Sequence, residues 1–315
     1  MQNRLDAGSA NQLSAMVSIA LPVYNGADHL GEALLSFQNQ TYSHFEIVIC
    51  DNASTDATRE IAERFAHSDP RFIYSRQTEF LNARDNFIRA YQLTNSRHKY
   101  FLWACDDNIW HPEFLERTVT YMESDPRCSV CGVYLHHFGG SAIHEQKIPM
   151  RKLYGRFRLL QFSFEKSSLV SLYGLMRRTA IDAINLELRG IRDYPDRYYL
   201  IQLRCLGHFY VIEEDLVGFR AGGISSSGDD PWVRTVIDTN FGKEEMRLLF
   251  SLPRLGWLEK RVLALRFTYT ARRHNIPETV WRMWLAPAYL LSALMGVVRP
   301  SPWRVTDRGL QRIDT

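Results

Sequence analysis

From Val17 to Leu135 the chain alternates short apolar runs with stretches of helical periodicity, and that alternation leaves few folds open. The apolar runs are Val17–Leu21, Phe45–Cys50, Phe72–Tyr74, Tyr100–Ala104 and Cys128–Leu135, each short enough for a buried strand. Between them the spacing changes. Leu30, Ala33, Leu34 and Phe37 recur at helical intervals within Ala27–Asn39. Ile61, Ala62 and Phe65 do the same after Asp56, which is placed to cap a helix, and Asn86–Leu93 also reads as helical. Pro112 sits where it would open a further helix running to about Glu123. Strands alternating with helices imply right-handed crossovers and a mostly parallel sheet covered on both faces, an α/β Rossmann-like architecture.

The second half is less regular. Ser167–Leu175 reads as a strand pair or a loop, with a helix near Thr179. Asp196–Leu206 is helical in pattern and ends at Gly207, and Phe209–Ile212 is strand-like. From Pro231 onward the pattern is mainly helical. The 315 residues therefore divide into a disordered lead-in (1–15), a main α/β unit (16–228) and a helical C-terminal extension (229–315). A net charge of +3 is too small for a nucleic-acid partner, which calls for a clustered basic face.

Open parallel sheets bind ligands beyond the carboxyl ends of their strands. Here the polar strand ends are Pro22-Val23-Tyr24-Asn25, Asp51-Asn52-Ala53-Ser54 and Cys105-Asp106-Asp107, so all three are predicted to meet at one rim. Adjacent carboxylates repel, and Asp106-Asp107 calls for a compensating cation or for good solvation. Mg²⁺ or Mn²⁺ would suit, taking one or two carboxylates and completing its shell with phosphate oxygens and water. The plainer reading is an acidic turn ahead of the next helix. Asp51-Asn52 reads either as an acceptor for a base N–H or as an Asx-turn, and Tyr24 as a stacking or a packing residue.

Together these segments resemble the family 2 glycosyltransferases of the GT-A fold. Val17–Asn25 is similar to the family's strand followed by P-x-Y-N, Asp51–Asp56 to its D-[DN]-[GA]-S-T-D, and Tyr100–Glu116 to its DxD segment with the following P-x-x-L helix. The resemblance covers about residues 15–220 and implies that 16–228 is a catalytic unit, with 16–135 its nucleotide-sugar-binding half and 136–228 its acceptor half. It implies a nucleotide-sugar donor, a UDP-sugar in the first instance, and transfer with inversion to a glycan or lipid-linked acceptor. It makes Pro22, Tyr24, Asn25, Asp51 and Asn52 nucleoside contacts, Asp107 the preferred metal ligand, and Asp106 a ribose or metal contact. Arg84 and Arg220 are possible diphosphate partners. Two departures stand out: Asn52 where many relatives carry a second acid, and Asp106-Asp107-Asn108 in place of a strict D-x-D. The inverting base is matched best by Asp196, before Tyr199–Gly207, with Asp193 as its rival; either reads equally as a helix N-cap.

Trp281–Val298 is dense in apolar and aromatic residues and is flanked by basic ones. It reads as a helix in a membrane interface, a helix packed on the catalytic unit, or a homodimer contact. Five cysteines, an odd number with no secretory leader, point to a reducing cytoplasm, with peripheral attachment to the inner face of the membrane if the first of these readings holds. The lone Cys128-x-x-Cys131 lacks the second ligand pair that zinc needs. A sugar nucleotidyltransferase would carry a Gly-rich basic loop after the first strand, and a dinucleotide-dependent oxidoreductase a G-x-G-x-x-G; neither is present. A non-catalytic nucleotide-sugar-binding scaffold of the same fold is the remaining alternative.

Overall fold

The computed structural model describes residues 16–138, 172–187, 195–220, 303–306 and 309–312. Its first elements are β1 (Val17–Val23), α1 (Leu30–Gln38), β2 (Phe45–Asp51), α2 (Thr58–Ser68), β3 (Phe72–Arg76), α3 (Ala83–Leu93) and β4 (Tyr100–Trp103). There follow β5 (Ile109–Trp110), α4 (Phe114–Ser124), β6 (Cys128–Phe138), β7 (Leu175–Arg177), α5 (Arg178–Ile181), α6 (Pro195–Leu206) and β8 (His208–Arg220). Eight strands form one sheet in the order β3-β2-β1-β4-β7-β6-β8-β5.

The half next to β1 is parallel. β1 pairs with β2 on one side and β4 on the other, and β2 pairs with β3. The chain thus steps outward to β3 and then returns across β1 to β4. In open α/β sheets such a reversal is where ligands bind, beyond the carboxyl ends of the strands. The other half is mixed: β7 runs antiparallel between β4 and β6, β8 is parallel to β6, and β5 closes the edge antiparallel to β8.

Alternation along the strands feeds two cores. Ile19, Leu21, Ile47 and Leu102 pack with the apolar stripe of α1, with Ala62 of α2, and with Phe114, Leu115, Val119 and Met122 of α4. Ala20, Phe101 and Trp103 face the opposite side, against Ala90 of α3 and Tyr199, Leu200 and Leu203 of α6. Phe37 is fully buried, with its ring centroid 4.4 Å from that of Trp110, so Phe37→Ala would cost about 3–5 kcal/mol.

Several boundaries differ from the sequence reading. Helix α4 starts at Phe114 rather than Pro112, because β5 occupies 109–110 and the Pro112 carbonyl accepts from the Thr41 amide at 2.9 Å. Strand β8 is 13 residues long, well beyond Ile212. Among the described residues of 229–315, β9 (Trp303–Thr306) and β10 (Gly309–Arg312) form an antiparallel pair, not helix. Trp303-Arg304-Val305-Thr306 alternates apolar and polar residues, which suits a strand. The lead-in 1–15, the Ser167–Val170 segment and the 281–298 stretch lie outside the described residues. Among those described, no helix is long and apolar enough to cross a membrane.

Candidate active site

The loop leaving β1 turns sharply at Asn25, whose φ is 50°, and is held by the loop leaving β2. The Asn25 amide donates to Ser54 Oγ at 2.9 Å, the Gly26 amide to Thr58 Oγ1 at 2.9 Å, and the Ala27 amide to Asp56 Oδ2 at 3.0 Å. In return Asn25 Oδ1 accepts the Thr55 amide at 2.9 Å. Asp56 Oδ1 takes the Thr58 amide at 3.0 Å, so Asp56 does cap α2, from one residue outside the N-cap position. These donors and acceptors explain why a polar string follows each strand: it satisfies backbone groups that neither sheet nor helix can reach.

Asp51 and Asn52 stand at the end of β2, and both are buried. Asp51 Oδ1 accepts the Ser54 amide at 2.8 Å, while Oδ2 accepts the Tyr74 hydroxyl at 2.7 Å and lies 3.8 Å from Arg76 Nη1. The Asn52 carboxamide pairs at both ends with the backbone of Leu81. The structure therefore gives both side chains loop-holding partners. The wall they support carries Phe80, which is 61% exposed and meets Tyr24 edge-on at 4.8 Å between centroids. Tyr24 itself is 48% exposed. Pro22 is buried in β1 beside Cys50.

Beyond β4 lie Asp106 and Asp107. Gly26 backs directly onto the first: a Cβ there would fall 2.6 Å from a Val23 methyl and closer still to Asp106 Oδ2. Burial, then the charge of Asp107, pushes the Asp106 carboxyl up to about 6, with Asp56 adding to the effect. Burial also raises Asp107, opposed by His29 and Arg220. Burial and mutual repulsion disfavour two free carboxylates side by side, and such a donor set fits a divalent ion. Among the described residues no group of three or more His, Cys, Asp or Glu side chains is gathered, so water and phosphate oxygens would have to complete its shell. Asn108, 2% exposed, follows with an Nδ2 that makes no hydrogen bond.

Arg84 is part-exposed in the first turn of α3 and pairs with Asp85 at 3.2 Å. Asp196 is the second residue of α6, and Asp193 lies outside the described residues. Tyr199, one turn after Asp196, stacks on Trp103 at 5.9 Å and 22°, which ties the first turns of α6 to the end of β4. The structure so brings the ends of β1, β2 and β4 together as topology predicted. Sequence reasoning missed Phe80, Tyr74, Arg76 and the close approach of Gly26. For Phe80, an exposed aromatic in a polar loop was the available signal; the others depend on contacts between distant segments.

The family model described as glycosyl transferase family 2 matches residues 18–184. Glycosyltransferase GlyA of Streptococcus pneumoniae is 32% identical over 243 residues, covering 70% of this chain and 33% of GlyA. The putative teichuronic acid biosynthesis glycosyltransferase TuaG of Bacillus subtilis is 28% identical over 109 residues, 34% of this chain and 42% of TuaG. An uncharacterized glycosyltransferase of Rickettsia typhi is 30% identical over 112 residues, 36% of this chain and 33% of its own. The matched part is thus well under half the length of each relative. Among solved structures, S. aureus TarS 1–349 in complex with UDP-GlcNAc shares the fold, with a TM-score of 0.64 at 13% identity over 94% of this chain and 96% of that one.

Proposed function

The chain belongs to glycosyl transferase family 2, and from that premise we propose that it moves a sugar from a uridine nucleotide-sugar to a hydroxyl of a glycan or lipid-linked acceptor, with inversion, in the assembly of a cell-surface polysaccharide. One observation carries the reading. Gly26 lies against the Asp106 carboxylate at the reversal point of the sheet, so the β1 loop and the acidic pair line one crevice. The TarS structures with UDP and with UDP-GlcNAc support the choice of donor, and the TuaG likeness supports the choice of product.

In this reading Tyr24 and Phe80 flank the base, while Asp51 and Asn52 hold the walls around it. Asn25 shapes the loop beneath the ribose. Asp107 and Asp106 would hold Mg²⁺ or Mn²⁺, which when bound neutralises charge on the departing diphosphate. Arg84 reaches the diphosphate from α3. Asp196 takes the proton from the acceptor hydroxyl. The hydroxyl oxygen then bonds to the anomeric carbon on the face opposite the diphosphate, and the bond from that carbon to the diphosphate oxygen breaks. Its electron pair leaves with the nucleoside diphosphate.

The test is turnover of UDP-, GDP- and dTDP-sugars with Mn²⁺, with and without EDTA, for the wild type and Asp107→Ala. UDP-sugar turnover that is lost in Asp107→Ala is the expected result. If no donor is turned over and no nucleotide raises the melting temperature, the reading fails.

A further inference from the structure

Arg220 ends β8, opposite Phe138 in the parallel β6–β8 register. Its guanidinium lies over the Phe138 ring at 4.7 Å and pairs through Nη2 with Glu32 in the first turn of α1. Two further observations set this ion pair beside the acidic rim. First, β5 pairs with β8 antiparallel, Ile109 with Gly218 and Trp110 with Val217. The strand that begins two residues after Asp107 therefore lies on the strand that ends, two residues after Gly218, at Arg220. Second, His29 and Arg220 are the groups that oppose the rise at Asp107, and His29 precedes Glu32 by three residues at the start of the same helix. The start of α1 and the end of β8, joined by the Arg220–Glu32 pair, are therefore the elements whose side chains act on Asp107.

The two partners in the ion pair are unequal. The Arg220 side chain is 19% exposed, and its Nε is buried without a hydrogen bond. The Glu32 side chain is 61% exposed. Glu32 can turn to water at little cost, whereas Arg220 cannot leave its seat over Phe138 without losing packing, nor stay there without an anion. An arriving anion would therefore replace the carboxylate and keep the guanidinium. A diphosphate suits this exchange, since it presents oxygens in the spacing a guanidinium binds bidentately.

We propose that Glu32 is an internal stand-in for the donor's diphosphate: it holds Arg220 in the donor-free enzyme and yields it when the nucleotide binds. The proposal rests on the rim being the nucleotide-sugar site. It assigns Arg220 to the diphosphate and makes Glu32 a positioning residue that competes with the ligand. The asymmetry predicts opposite effects from removing the two charges, which a merely structural ion pair would not produce.

The experiment is calorimetric titration of the full chain with UDP and with uridine, at fixed Mn²⁺. Glu32→Gln should bind UDP about threefold to tenfold more tightly. Arg220→Gln should bind UDP about tenfold or more weakly, with Arg220→Lys intermediate. Uridine affinity should not change in any variant, and this shows that each one folds. In the Arg220→Gln background, Glu32→Gln should have no further effect. If Glu32→Gln weakens UDP or leaves it unchanged, the stand-in is wrong while the donor site survives. If the wild type binds neither UDP nor uridine, the donor-site reading falls and this proposal with it.

Discussion

Asn52 and Leu81 are joined at two points: Nδ2 donates to the Leu81 carbonyl at 2.8 Å, and Oδ1 accepts the Leu81 amide at 2.8 Å. Only a carboxamide carries both a donor and an acceptor in that fork. This gives a physical account of one departure from the family pattern, the amide at a position where many relatives carry an acid. Asn52→Asp leaves the Leu81 carbonyl without its donor and brings a charge next to it. It should lower stability by about 1–3 kcal/mol and speed hydrogen exchange at the Leu81 amide. An unaltered exchange rate there would show that the pairing does not hold the loop.

Gly26 sets how near the β1 loop comes to the acidic pair. Gly26→Ala inserts a methyl into space already taken by Asp106 Oδ2 and Val23. Asp106 must then move by about an ångström, and misplacement on that scale costs up to about 100-fold in rate. We expect donor turnover to fall at least tenfold while circular dichroism stays unchanged. Turnover within twofold of wild type would mean that the loop has room to spare.

Ala53 has a φ of 60°, a left-handed conformation that costs an alanine roughly 1–2 kcal/mol. Glycine removes that strain and gives part of it back as lost backbone freedom. Ala53→Gly should therefore raise stability by about 0.5–1 kcal/mol in denaturant titrations. A loss of stability would contradict the strain argument.

Asp106 ties stability to pH. Burial and the neighbouring Asp107 raise its carboxyl to about 6 in the fold, whereas the unfolded chain releases that proton near pH 4. Between these values the native state binds more protons, so metal-free protein loses stability as pH rises from 4 to 6 and recovers none of it above. The loss is on the order of 2–3 kcal/mol. Asp106→Asn removes it. The melting temperature of the variant should match wild type near pH 4 and exceed it by a growing margin up to about pH 6.5. A margin that shrinks with pH would reverse the sign and sink the account.

The parallel half of the sheet was readable in the sequence because each strand there is a continuous apolar run bounded by polar turns. α1 is the clearest case: Leu30, Ala33, Leu34 and Phe37 predict the helix and all four are buried. The mixed half was readable only in part: Cys128–Leu135 and Phe209–Ile212 fall within β6 and β8, but its short strands gave no signal. β5 has two residues and β7 three, too few to show any period. β8 carries Glu213-Glu214-Asp215 in its middle, which disguises a strand whose outer face is wet. The rim was located by topology, but the partners of its residues were not. Asp51 meets Tyr74 and Asn52 meets Leu81 through loops whose course no local pattern encodes.

The pairing of Ile109 with Gly218 has a consequence for how the protein is made. During synthesis, β1 to β4 leave the ribosome first, and β2, β3 and β4 can each pair with a strand already present. The short strand next to Asp107 has no partner until more than a hundred further residues have followed. A nascent chain can therefore pair β1 to β4 early, while β5, two residues past Asp107, still waits for β8. The acidic pair therefore gains its neighbouring strand late in synthesis, through the kind of long-range contact that forms slowly in folding.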